Sequence, residues 1–234
     1  MRLKAVLVLL AALAFAVSPL LNPGFGGYDP SQFPAITSDP PIIPAGYAFS
    51  IWGVIYLWLV AMAGYGLWRR PEDADWDATR WPLVASLGIG AVWLPVAMIS
   101  PLWATILIWA MLGTALVALL RAPWRDRWLL GTPVGLYAGW LSAAACVSLG
   151  VLLTGFAVPP FDATGWAIAL LGLALCIGVA ILRARPWATF GVAIVWALLA
   201  VTMRNGFDLV GLFAMAAAVV IAALTVVPGR KRRV

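Results

Sequence analysis

Eight long apolar runs, none containing Asp, Glu, Lys or Arg, divide this chain almost from end to end. They cover residues 5–21, 45–68, 81–100, 102–120, 128–155, 166–182, 187–203 and 209–227. A helix crosses the hydrocarbon layer in roughly 20 residues, so each run is about the length of a span. Lipid offers the backbone no hydrogen-bond partners, which leaves helices and closed barrels as the spanning structures. Barrel strands alternate apolar and polar residues over short stretches, and these unbroken runs do not. The reading is therefore an all-α integral membrane protein, a bundle of about eight transmembrane helices. Composition agrees: 64% of residues are hydrophobic and 10% are charged. Soluble domains are about half apolar and about a quarter charged, so a soluble domain is excluded, as is a disordered chain.

The connections test the count. Arg2 and Lys4 precede the first run, and loop 22–44 carries Asp29 and Asp39 with no basic residue. Arg69, Arg70 and Arg80 follow the second run, beside Glu72, Asp73, Asp75 and Asp77. The Ser100-Pro101 turn is uncharged, and the next loop holds Arg121, Arg125 and Arg127. Asp162 alone marks the fifth connection, Arg183 and Arg185 the sixth, and Arg230, Lys231, Arg232 and Arg233 the tail. Arg204 breaks the alternation, with Asp208 four residues on. Basic loops stay cytoplasmic. The expected placement is the bacterial inner (cytoplasmic) membrane with both termini inside. The distribution also assigns the net charge of +6 to topology, so no nucleic-acid partner is expected and the lipid bilayer is. The first run, with its basic start and Ala14-Phe15-Ala16, fits a cleaved signal peptide as well as a retained helix.

Histidine is absent, which removes the commonest metal ligand and the commonest general base near neutral pH. No acid lies within a run. An enzyme is not expected, nor a metal site, nor a required cofactor. Cys146 and Cys176 stand alone in apolar runs and read as small buried hydrophobes.

Of the 14 Trp, Trp68, Trp81, Trp103, Trp124, Trp128, Trp166 and Trp187 lie near run ends, where an indole can be half wet. Trp76 falls in a loop. Trp52, Trp58, Trp93, Trp109, Trp140 and Trp196 lie deeper, and a buried indole N–H wants a partner. Phe49, Trp52 and Tyr56 share one helix face in the second run. In the fifth run Gly131, Gly135, Gly139 and Ala143 recur every four residues, a row that admits close approach of another helix or a second copy of the chain. Tyr137, Trp140, Ala144 and Ser148 lie along a neighbouring face. Aromatics beside a small-residue groove suit a flat apolar ligand, and helix packing explains the same pattern.

The block Phe49-Ser-Ile-Trp52-Gly-Val-Ile-Tyr56 resembles the opening of the second helix in the TspO/MBR family. These are the tryptophan-rich sensory proteins related to the mitochondrial translocator protein (peripheral benzodiazepine receptor). Trp93 is similar to the family's third-helix Trp. Pro133-x-x-x-Tyr137-x-x-Trp140-x-x-x-Ala144 is similar to its fifth-helix motif. Gly90 and Ser148 stand where the family usually has Asn, and Phe49 to Trp52 is one residue shorter than usual. The resemblance implies a retained first helix and a five-helix core over residues 1–155, with loop 22–44 capping a cleft. Residues 156–234 would then be a three-helix membrane extension with a basic cytoplasmic tail. It further implies a sensor or receptor for a hydrophobic small molecule such as a porphyrin. Phe49, Trp52, Tyr56, Trp93, Tyr137, Trp140, Ala144 and Ser148 would line the site. Without His, a tetrapyrrole would bind by stacking on its faces rather than by axial ligation. The alternative is a transporter or facilitator of small hydrophobic molecules. Ion coupling is disfavoured, because no ionisable group lies at mid-membrane.

Overall fold

The computed structural model describes residues 1–34 and 40–226. The expectations for Asp39 and for the basic tail at 230–233 fall outside them. Among the described residues eight helices follow one another: α1 (Arg2–Leu21), α2 (Ile51–Arg69), α3 (Ala74–Ile99), α4 (Pro101–Arg121), α5 (Gly131–Gly155), α6 (Ala163–Ala184), α7 (Ala188–Asn205) and α8 (Leu209–Val226). Short 3-10 turns at Pro30–Gln32 and Gly46–Ser50 are added, and no strand occurs among the described residues. All eight helices are long and apolar enough to cross a membrane.

Local chemistry adjusts the expected boundaries. Helix α3 starts at Ala74 rather than 81, because the Asp73 carboxylate caps it by accepting from the Asp75 and Trp76 amides at 3.0 and 3.3 Å. Trp76 therefore lies in a helix, not a loop, and is buried against Gly66. Ser100 caps α4, with Pro101 at its first position, where no helical N–H is lost. Asp162 caps α6 by accepting from the Gly165 amide at 2.7 Å.

Helix α5 is the buried axis. It packs against α4, α6 and α7, and more lightly against α2. Helices α1 and α4 flank α3, and α8 covers α6 and α7. The glycine row sets the α5–α7 approach. Gly131 lies beneath the Trp187 ring, Gly135 beside Thr189 and Gly139 against the Phe190 carbonyl. Ala143 continues the row and is buried. The row is thus filled by α7 of the same chain. Trp187, expected at an interface, is instead buried by Gly131 and stacked on Trp124 at 4.2 Å. Cys146 is buried as expected, but Cys176 is exposed. It lies on the outward side of α6, and a weakly polar thiol meets little penalty facing acyl chains.

The helix ends form two unlike faces. One carries most of the cations, and Arg204 lies at the other. Arg80 is buried and donates to the carbonyls of Met1, Pro71 and Arg70 and to Asp77. Lys4 pairs with Asp77. Arg70 grips Asp126 through two nitrogens at 2.7 and 3.2 Å, and Trp76 Nε1 donates to the same carboxylate at 3.2 Å. These bonds, the Arg70 bond first, hold the Asp126 carboxyl below the usual carboxylate range. A depressed folded value stabilises the protein above the ordinary unfolded pKa of about 3.9. That stability is lost as pH falls through the folded value. Asp126→Asn is expected to lower the melting temperature at neutral pH and to flatten its decline on the acid side. Melting curves in detergent from pH 7 to about pH 3 check this.

At the opposite face, Gln32 Nε2 donates to the Met98 carbonyl at 3.0 Å and Asn205 Nδ2 to the Pro41 carbonyl at 2.8 Å. The Ala45 amide donates to the Ala200 carbonyl at 3.1 Å. The first long loop is thereby anchored to α3 and α7.

Candidate functional site

The candidate residues fall on one strip of α5 and what lies beside it. Residues 140, 144 and 148 are one turn apart, so their side chains form a row about 12 Å long. Two aromatic groups meet this row, one near each end.

The inner group centres on Phe15 of α1. Its ring meets Trp52 at 5.7 Å, Tyr56 at 5.0 Å and Tyr137 at 5.8 Å, edge to face in each case. Trp52 and Tyr56 stack on each other at 5.3 Å with 14° between planes, as expected for one turn of α2. Trp140 takes the edge of Trp52 at 6.1 Å and of Phe49 at 5.9 Å. Such edge-to-face pairs each contribute about 0.5–1.5 kcal/mol beyond their buried area. The Tyr137 hydroxyl and the Ser86 hydroxyl lie 2.9 Å apart, and Ser86 donates onward to the Met111 carbonyl at 2.8 Å. Tyr137 is thereby fixed.

The outer group is built by the first loop. Phe25 meets Trp93 at 5.4 Å and Tyr28 at 6.1 Å, and Tyr28 meets Phe33 at 6.2 Å. The Tyr28 hydroxyl lies 2.7 Å from the Ser148 hydroxyl, which lies 2.8 Å from that of Thr105. Burial of this loop residue pushes its phenol above its ordinary value. Trp93 Nε1 donates to the Ala104 carbonyl at 2.9 Å.

The structure therefore brings Phe49, Trp52, Tyr56, Tyr137 and Trp140 into one contact network. It places Trp93 and Ser148 in the second, with half-buried Ala144 between them on α5. Sequence reasoning missed Phe15, Phe25, Tyr28, Ser86 and Thr105. A Cβ at Gly90 would lie 2.7 Å from the Phe15 ring, so the missing side chain is the space that the ring occupies. Only the assembled helices show which ring fills that space.

The deep indoles divide by partner. Trp58 Nε1 donates to the Trp128 carbonyl at 3.0 Å and Trp196 Nε1 to the Ala48 carbonyl at 2.9 Å. Trp140 is 2% exposed, and its Nε1, like those of Trp109 and Trp187, has no hydrogen-bond partner among the described residues. An unpaired buried donor costs about 1–3 kcal/mol. Phe49, 46% exposed, stands between this indole and the outside.

The sequence profile of a family described as TSPO-like protein matches residues 5–227, from the first turn of α1 through the end of α8. Neither a curated protein nor a solved structure matches the chain.

Proposed function

The chain belongs to the TSPO-like family, and on that premise we propose a membrane sensor or receptor for a flat hydrophobic ligand of the porphyrin class. The ligand lies along the α5 strip between α2 and α5, against Phe49, Trp52, Tyr56 and Trp140. The role is binding rather than catalysis, and no resident cofactor is required. The Arg-rich face is cytoplasmic, in a bacterial inner membrane, because basic segments are retained on that side.

The observation that carries this reading is the buried, partnerless Trp140 N–H at the centre of an aromatic lining. Rings recognise a planar conjugated molecule through their faces and edges. A donor held dry among them selects an acceptor on that molecule, and a porphyrin carboxylate supplies one. Phe49 is the cover that moves, since it is the exposed member of the group. The outer group, latched by Tyr28 to Ser148, closes the far end of the strip.

Titrating the purified protein with protoporphyrin IX is expected to quench its tryptophan fluorescence saturably. Trp140→Phe keeps a ring and removes the N–H, and is expected to weaken binding about tenfold. Trp52→Ala removes a face and weakens it further. Quenching that does not saturate, or that neither substitution changes, would sink the assignment.

A further inference from the structure

A recess of about 470 Å³ opens at the Arg-rich face, lined by Trp124, Asp126, Arg127, Trp128 and Leu129. It lies in the connector between α4 and α5, far along the bundle from the outer loop. The connector is fixed in place. Trp128 gives its carbonyl to Trp58 of α2, Trp124 stacks on Trp187 just before α7, and Asp126 is clamped by Arg70. Asp126 takes a left-handed backbone, φ 54°, which Asp tolerates better than most residues. The Asp126 carbonyl accepts from the Leu129 and Leu130 amides at 2.8 and 3.0 Å, so Arg127 and Trp128 lie within a tight turn.

The charges in this recess do not cancel. The Asp126 carboxylate accepts from two Arg70 nitrogens and from the Trp76 N–H, and among the described residues no bond joins it to Arg127. Among the described residues Arg127 has no acidic partner, and its guanidinium lies 5.6 Å from the centre of the Trp128 ring. The neighbouring Arg125 approaches Asp73 at 4.0 Å, and its side chain is mostly exposed. Trp124 and Trp128 are 51% and 62% exposed, in the connector between two spanning helices. Half-exposed indoles at that level belong among headgroups and upper acyl carbons. An unpaired guanidinium between two such indoles is a phosphate-binding group.

We propose that this recess seats the headgroup phosphate of an anionic phospholipid. Arg127 donates to the phosphate, and Trp124 and Trp128 flank the glycerol and upper acyl region. The site is separate from the α5 strip and does not depend on what the strip binds.

Native mass spectrometry of the full chain tests this, with equimolar dioleoyl phosphatidylglycerol and dioleoyl phosphatidylcholine in mild detergent. The expected result is preferential retention of phosphatidylglycerol, a comparison that needs no variant. Arg127→Gln is expected to lower that retention about fivefold, the effect of one interfacial cation. Arg127→Lys should retain most of it, and Arg183→Gln, on another connection, should leave it unchanged. Equal retention of the two lipids overturns the proposal. So does equal loss in the Arg127→Gln and Arg183→Gln proteins, which would mean diffuse surface charge. Inorganic phosphate at the lipid's concentration should not displace the lipid. Displacement would mean a site for free phosphate and would overturn the lipid assignment.

Discussion

Gly139→Ala is expected to destabilise the helix bundle by about 3 kcal/mol, even though alanine is the better helix former. A Cβ at this position would lie 2.3 Å from the Phe190 carbonyl oxygen and 3.0 Å from the Ala193 Cβ. The first obstacle is backbone, which no rotamer change removes. Helix α7 must move away from α5, and every contact along that interface loosens with it. Van der Waals contact is the main attraction between helices in lipid, so a small separation forfeits much of it. Gly53→Ala is the matched control. Nothing lies within 4 Å of its Cβ, and it should be neutral or stabilising by about 0.5 kcal/mol. Unfolding of both variants in detergent micelles, followed by circular dichroism, compares them directly. Equal stability of the two would show that α5 and α7 do not pack through this row.

Arg80→Gln is expected to cost about 3 kcal/mol, the penalty for breaking a buried and fully bonded charge. The Arg80 side chain is 3% exposed and reaches three backbone carbonyls and one carboxylate. Those acceptors come from the start of α1, the α2–α3 connection and α3 itself. One guanidinium therefore ties three segments at a single face. Glutamine has too few donors and too short a stem to reach them all. Lysine keeps the charge but lacks the planar fork, so Arg80→Lys should recover only part of the loss. Hydrogen exchange should localise the damage to the first turns of α1. Uniform loosening across all helices would argue against the tie.

These two positions show what could be read in advance. The spacing of Gly131, Gly135 and Gly139 announces a close approach, because only small residues permit it. It does not name the partner, and a second chain fits the pattern as well as α7 does. Arg80 reads as an ordinary loop cation, because the hydropathy of residues 74–80 does not show that α3 extends back to Ala74. The extension depends on the Asp73 cap, a side-chain bond that a hydropathy pattern does not register.

The aromatic site divides in the same way. Phe49, Trp52 and Tyr56 could be grouped from helical spacing, and Tyr137, Trp140, Ala144 and Ser148 likewise. Phe15 could not, because it sits in a uniformly apolar run with no face of its own. Its place between Tyr56, Tyr137 and Gly90 exists only after α1, α2, α3 and α5 assemble. Tyr28 lies 120 residues from Ser148, and no local rule pairs them.

The sequence by itself determined the number of spans and the distribution of charge between the two ends. Both follow from the cost of putting backbone and charge into hydrocarbon, which each segment meets alone. The tertiary structure decided which helix fills the glycine row, which indole N–H groups are left without an acceptor and where Arg127 faces. Those outcomes depend on contacts between segments distant in the chain, and a run of equally apolar residues carries no record of its neighbours.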